Sequence, residues 1–240
     1  MERLFVGSPS ARRNFLDRLI FTYHKDYNLI VNNYKKAINE RFLLLKSINY
    51  DKNWMNKIES NIVSFGTIIY QKRENHLHII NNILEKFNNN KYFSNNFILK
   101  IKYNFFENNL KITKDEEIYI SELSRLRQKD FFSGGCSIGP HRSDLEGLNI
   151  KNNFNLNQLS TGQQKTIVLL IIVAQSEYLI KNLDIKPIIL LDEICSHLDS
   201  SNRELLLYLI DELKVQVFMT GTEENFFSFL STKAHYCNIT

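Results

Sequence analysis

Residues 187–193 read Pro187-Ile188-Ile189-Leu190-Leu191-Asp192-Glu193, an unbroken apolar run that ends in two carboxylates. Branched aliphatic residues suit the pleat of a strand, and a continuous rather than alternating run is the habit of a parallel strand buried on both faces. The two acids then fall at its C-terminal end, the edge where open α/β sheets bind ligands. There Asp192 can hold Mg²⁺, directly or through water, because a hard cation prefers carboxylate oxygen. Glu193 is placed to orient and deprotonate a water attacking a γ-phosphate. The same letters also describe a buried strand that runs into a solvated acidic turn, and taken alone they do not choose between the two.

Upstream, Leu159-Ser160-Thr161-Gly162-Gln163-Gln164-Lys165 opens the apolar stretch from Thr166 to Ile180. Ser160 suits a helix cap, Gly162 lets backbone approach a ligand closely, and the free N–H groups with the helix dipole favour an anion such as phosphate. An ordinary capped helix has the same letters. Downstream, Ser196-His197-Leu198-Asp199 supplies a short polar loop with a further acid, suited to a subunit-contacting nucleotide loop.

Around these stretches strands and helices alternate, which is an α/β pattern. Strands are expected near Cys136–Ile138, at Ile188–Leu191, at Val215–Met219 and near Ala234–Ile239, with helices after Ser160 and after Ser200. The first half reads as helical instead. Ser8-Pro9 opens one helix, whose apolar stripe continues through Tyr34, Ala37, Phe42 and Leu45. A second stripe runs from Trp54 to Leu84, and Phe97 to Tyr103 alternates like a strand. A further helix is expected from Thr113, as its cap, to Lys129. The boundary falls near residue 130, with a helical lobe over 1–130 and an α/β part over 131–240.

A hydrophobic fraction of 43% and a charged fraction of 23% are those of a globular protein. The net charge of +4 is compatible with a nucleic-acid partner but does not require one. Arg12, Arg13, Lys35, Lys36 and Arg41 lie on the helical lobe, and Arg142 sits in a Gly-Pro turn; these can contact DNA phosphates without reading sequence. They equally suit a solvated face, and Arg12 and Arg13 can instead pair with acids inside the fold. His141 and Arg142 can serve nucleotide, DNA or the lobe. Cys136, Cys195 and Cys237 have no metal-ligand spacing, which suits a reduced, cytoplasmic protein. The longest apolar run, Ile167 to Ala174, is short of the roughly 18–20 residues of a membrane span.

The order and spacing are more specific than any part. Ser160 lies 32 residues before Asp192, and Ser196-His197-Leu198-Asp199 follows. This resembles the signature motif, Walker B strand and D-loop of ABC-type ATPases. Ser8-Pro9-Ser10-Ala11-Arg12-Arg13-Asn14-Phe15-Leu16-Asp17-Arg18, Gly139-Pro140-His141-Arg142-Ser143-Asp144-Leu145 and Gln216-Val217-Phe218-Met219-Thr220-Gly221-Thr222 resemble stretches of the RecF recombination and repair family. The resemblance implies the C-terminal part of an ABC-ATPase-like head, a mixed sheet with flanking helices, plus a helical lobe. It also implies ATP and Mg²⁺ as cofactors, with Asp192 on the metal, Glu193 catalytic, and Ser160, Gly162, Gln163 and Asp199 at the nucleotide. The implied partners are gapped, single-stranded or junction DNA, recombination mediator proteins, and a second subunit across ATP. The implied setting is DNA replication, repair, recombination and the SOS response, in which such proteins help load the recombinase.

One family element has no counterpart in these 240 residues. A P-loop needs G-x-x-x-x-G-K-[ST], because backbone N–H groups cradle the phosphates and the Lys reaches them. None of the eight glycines is followed by Lys, and Gly134 to Gly139 continues into Pro140-His141. The family carries its P-loop in an N-terminal strand–loop–helix, so the chain is expected to be N-terminally truncated, inactive alone, and dependent on a P-loop-bearing segment or partner chain. A switch His after the last sheet strand is replaced by Thr220-Gly221-Thr222. The other readings are a non-catalytic DNA-binding or scaffolding remnant and a generic SMC-like head fragment.

Overall fold

The computed structural model describes residues 4–47, 49–88, 96–103, 115–193, 198, 200–230 and 234–238. The fold is mixed α/β, mostly helical, with two small sheets. It divides into two compact units: Ser8–His78 with Leu99–Glu146, and Met1–Gly7 with Ile79–Ile98 and Gly147–Thr240.

The first unit is built on α1 (Pro9–Phe21), α2 (Tyr27–Lys46) and most of α3 (Lys52–Asn88), with α4 (Glu116–Arg125) and α5 (Arg127–Ser133). Ser8 caps α1 by accepting from the Ala11 N–H, and Pro9 follows in the first turn. The stripe expected to continue into α2 is broken at 22–26, where the Thr22 hydroxyl bonds back to the Leu19 carbonyl. Asp115 caps α4, accepting from the N–H groups of Glu117 and Ile118; Thr113, the expected cap, lies outside the described residues. The helix expected to run to Lys129 breaks at Leu126, which separates α4 from α5.

The strand expected at Cys136–Ile138 is not there. The Ser137 N–H and hydroxyl both donate to Asp130, and the Cys136 carbonyl accepts from His141 and Arg142. Backbone groups already taken by side chains cannot join a ladder. The strand begins later, as β2 (Asp144–Asn149), and stands between β1 (Phe97–Lys102) and β3 (Phe154–Asn155). Gly139 makes the preceding turn at φ +128°, where a Cβ would clash with the Tyr34 hydroxyl and come within 2.6 Å of that of Tyr119.

The second unit holds α6 (Thr161–Leu183), β4 (Ile189–Leu191), α7 (Ser200–Leu213) and β5 (Val217–Met219). β4 and β5 pair in parallel, Ile189 with Val217, Leu190 with Phe218 and Leu191 with Met219, and α7 is the crossover that parallel pairing requires. Leu169 of α6, Ile189 and Leu191 of β4, Leu198, and Leu206 of α7 form the core beneath this sheet. The strand differs from expectation in one respect: it is buried on one face only. Ile189 and Leu191 are 4% and 2% exposed, whereas Leu190 is 72% and Phe218 53% exposed. Helices α6 and α7 cover one side, and among the described residues nothing covers the other. The strand expected near 234–239 has no ladder over 234–238. Helix α6 is long and apolar enough to cross a membrane by length and composition, but two thirds of its most apolar window is buried in the fold, as in a core helix.

Candidate functional site

The parallel register decides what stands at the end of β4. Beyond Leu191–Met219 the next pair is Asp192 and Thr220, and the backbone keeps the pattern one rung further. The Thr220 N–H donates to the Leu191 carbonyl at 3.0 Å, and the Glu193 N–H donates to the Thr220 carbonyl at 3.2 Å. Cross-strand partners share a face, and the Thr220 hydroxyl donates to Asp192 Oδ1 at 2.6 Å. The same hydroxyl oxygen accepts from the Glu193 N–H at 3.2 Å. Asp192, Glu193 and Thr220 are all exposed. Period-2 alternation puts Asp192 on the same face as Leu190, the face left uncovered.

Glu193 has φ +52°. Left-handed backbone costs a residue with a Cβ roughly 1–2 kcal/mol, and such outliers gather at functional sites. Among the described residues no group of three or more His, Cys, Asp or Glu is arranged around a metal. One strand-end carboxylate suits a cation that takes its other ligands from water and phosphate, as Mg²⁺ does, rather than from a protein cage.

Ser160 caps α6 with a reciprocal box: its hydroxyl accepts from the Gln163 N–H, and the Gln163 side chain accepts from the Ser160 N–H. Buried Gln164 donates to the carbonyls of Asn157 and Leu159, tying the preceding loop to the helix start. Ser160 and Gln163 remain exposed, with Gly162 half-buried between them. Asp199, expected at the nucleotide, lies outside the described residues, as do Cys195, Ser196 and His197.

The basic residues separate into two groups. Lys35 and Lys36 stand exposed on α2. Arg12 grips Asp144 with two bonds, at 2.8 and 2.7 Å, and Arg13 donates to the Ser143 carbonyl. The hydrogen bond to Asp144 raises the Arg12 pKa further. Arg142 donates to the Cys136 carbonyl. The stretches 8–18 and 139–145 therefore meet in space, although about 130 residues separate them. Asp17 joins them: Arg73 of α3 takes both its oxygens at 2.8 Å and also donates to the Pro140 carbonyl and the Ser143 hydroxyl.

Sequence reasoning missed the reach of this network. Arg41, read as a surface cation, is 1% exposed and donates to Glu59, Asp130 and the Leu123 carbonyl. A signal was present: Arg41 falls on the Ala37–Leu45 stripe, where an inward-facing residue is due. His141 is held between the Tyr34 hydroxyl at 2.7 Å and the Cys136 carbonyl at 2.9 Å, and burial lowers its pKa to about 4. Cys136 is a buried free thiol pushed up to about 11 by the same cause.

Residues 47–236 match the RecF/RecN/SMC N terminal domain. The chain belongs to that family. Within it the chain is RecF-like. It is 29% identical over 239 residues to the DNA replication and repair protein RecF of Allorhizobium ampelinum, covering 100% of this chain and 64% of the relative. It is 32% identical over 231 residues to RecF of Rickettsia typhi, covering 94% of this chain and 63% of the relative. A solved structure of the recombination mediator protein RecF-ATPrS in the RecFOR pathway superposes with a TM-score of 0.74 at 25% identity, over 93% of this chain and 61% of that one. The chain thus spans less than two thirds of the length of these RecF proteins.

Proposed function

We propose that this chain is the signature- and acid-bearing part of a RecF-like DNA-repair ATPase, whose phosphate grip comes from a P-loop outside these 240 residues. The observation that carries the reading is the pair of acids at the end of β4, with Asp192 on a sheet face that nothing described covers. A face with Leu190 and Phe218 exposed beside Asp192 is what remains of a parallel sheet when a neighbouring layer is absent, since such sheets are otherwise covered on both sides. A P-loop-bearing segment or partner chain seated there meets the acids directly.

In this reading Asp192 holds Mg²⁺ and Glu193 orients the attacking water. The cation supplies charge neutralisation to the phosphates. Ser160, Gly162 and Gln163 offer the positive end of α6 to the nucleotide, and Asp199 serves the same nucleotide, across an ATP-bridged pair of subunits. Residues 131–240 then act as the ATPase part and 1–130 as the helical lobe. Lys35 and Lys36 are the cations best suited to gapped, single-stranded or junction DNA; Arg12, Arg13 and Arg142, already bonded within the compact unit of Ser8–His78 and Leu99–Glu146, contribute to DNA more through that unit's shape. Recombination mediators as partners, recombinase loading, the SOS response and a cytoplasmic setting belong to the same proposal.

The test is ATP turnover by the purified chain, which is expected to stay at background. Hydrolysis above background that disappears in Glu193→Gln contradicts the proposal, because it needs a complete site within these residues.

A further inference from the structure

We infer that Thr220 is the positioning residue of the acid pair, setting both the direction of the Asp192 carboxylate and the backbone of Glu193. The inference rests on the reading of Asp192 and Glu193 proposed above and concerns a residue to which that reading gives no role.

Three observations converge on one hydroxyl. The register makes Thr220 the cross-strand partner of Asp192, so the two side chains leave the sheet on one face. The hydroxyl has a single hydrogen, and at 2.6 Å that hydrogen goes to Asp192 Oδ1. Its lone pair then faces the Glu193 N–H at 3.2 Å, sharing that N–H with the Thr220 carbonyl, so a donor bond to one acid and an acceptor bond from the next pass through one atom. Glu193 meanwhile holds a backbone conformation, φ +52°, that a side chain rarely adopts unaided.

The chemistry follows from the bond directions. With Oδ1 held by the hydroxyl, Asp192 presents Oδ2 as the oxygen for a cation, at a fixed angle to the strand. The left-handed φ at Glu193 departs from strand geometry, so the strict alternation of faces along β4 ends at Asp192. A hydrogen-bonded partner behind a ligating group is what orients it, and loss of such partners typically costs about 10–100-fold in metal affinity. Serine can make the same two bonds, whereas valine has the shape of threonine and makes neither.

The experiment uses the whole chain and Mn²⁺ alone, read by NMR in Thr220→Ser, Thr220→Val and Asp192→Asn. Two signals are followed: the Glu193 amide and Cα shifts, which report the left-handed backbone, and paramagnetic broadening centred on residues 191–193. The unaltered chain and Thr220→Ser are expected to agree in both. Thr220→Val is expected to move the Glu193 shifts toward ordinary backbone values and to weaken Mn²⁺ broadening about tenfold, with amide shifts in α6 unchanged as the check that the fold survives. Asp192→Asn is expected to remove the broadening. Thr220→Val indistinguishable from the unaltered chain in both signals overturns the inference. Shifted Glu193 signals with no Mn²⁺ broadening in any variant uphold Thr220 as the holder of the pair and overturn the reading of Asp192 as a metal ligand.

Discussion

The two compact units treat their polar groups in opposite ways. In the helical unit charged residues are turned inward and matched: Arg73 with Asp17, Arg41 with Glu59 and Asp130, Arg12 with Asp144. In the unit that carries β4 and β5, Asp192 and Glu193 stand exposed beside an apolar strand face that no described residue covers. The first unit spends its matched charges on its own interior, although it too leaves Leu29, Leu43, Trp54 and Phe132 exposed, whereas the second presents its strand-end acids to solvent. Buried ion pairs contribute little over an apolar core but are costly to break singly, so their value lies in fixing one arrangement. Exposed acids on a strand end contribute little to folding, which leaves them available for chemistry.

The sharpest way to break this contrast is to cut the closed network. Asp17→Ala leaves Arg73 buried and unmatched, and is expected to destabilise the chain by roughly 3–5 kcal/mol in urea unfolding. Asp192→Asn is expected to change stability by no more than about 0.5 kcal/mol. Equal losses from the two would remove the distinction.

A second effect is pH dependence confined to the helical unit. Burial lowers both His76 and His141 to about 4, from an ordinary value of 6.5. The folded state therefore binds fewer protons than the unfolded chain between those values. The stability held by neutral His is complete above about pH 6.5 and is lost as pH falls toward 4. From pH 7 to pH 5 each is expected to cost on the order of 2 kcal/mol, measurable as a falling unfolding midpoint that His141→Asn reduces.

A smaller effect belongs to the α6 cap. Ser160→Ala removes the acceptor for the Gln163 N–H and is expected to cost about 1 kcal/mol, read by thermal unfolding. The least effect on stability is expected from Leu190→Gln with Phe218→Gln, within about 0.5 kcal/mol because both positions are exposed. A large loss there would mean that this sheet face is already covered within the chain.

Much of this was legible from residue order, and the exceptions have physical causes. The Ser8 and Ser160 caps, the 37-residue α3 and the parallel pairing of β4 follow from local chemistry and periodicity. The misplaced strand at 136–138 does not, because its outcome depends on Asp130, His141 and Arg142 reaching back to that backbone. Nor does the open face of β4, since the same apolar letters serve a strand covered on one side or two. Arg41 was misjudged by type: a cation on an apolar stripe is decided by the acids of other helices, which periodicity along one helix does not reveal. The Thr220–Asp192 bond required the register, which links residues 28 apart.

The central claim is that the acids of β4 await a phosphate grip from elsewhere. It is tested most directly by adding a P-loop-bearing segment from a RecF relative to this chain and measuring ATP hydrolysis. The account predicts no turnover from either piece alone, turnover from the mixture, and its loss with Glu193→Gln or with the paired glutamines at 190 and 218. Turnover in the mixture that survives Glu193→Gln would contradict it.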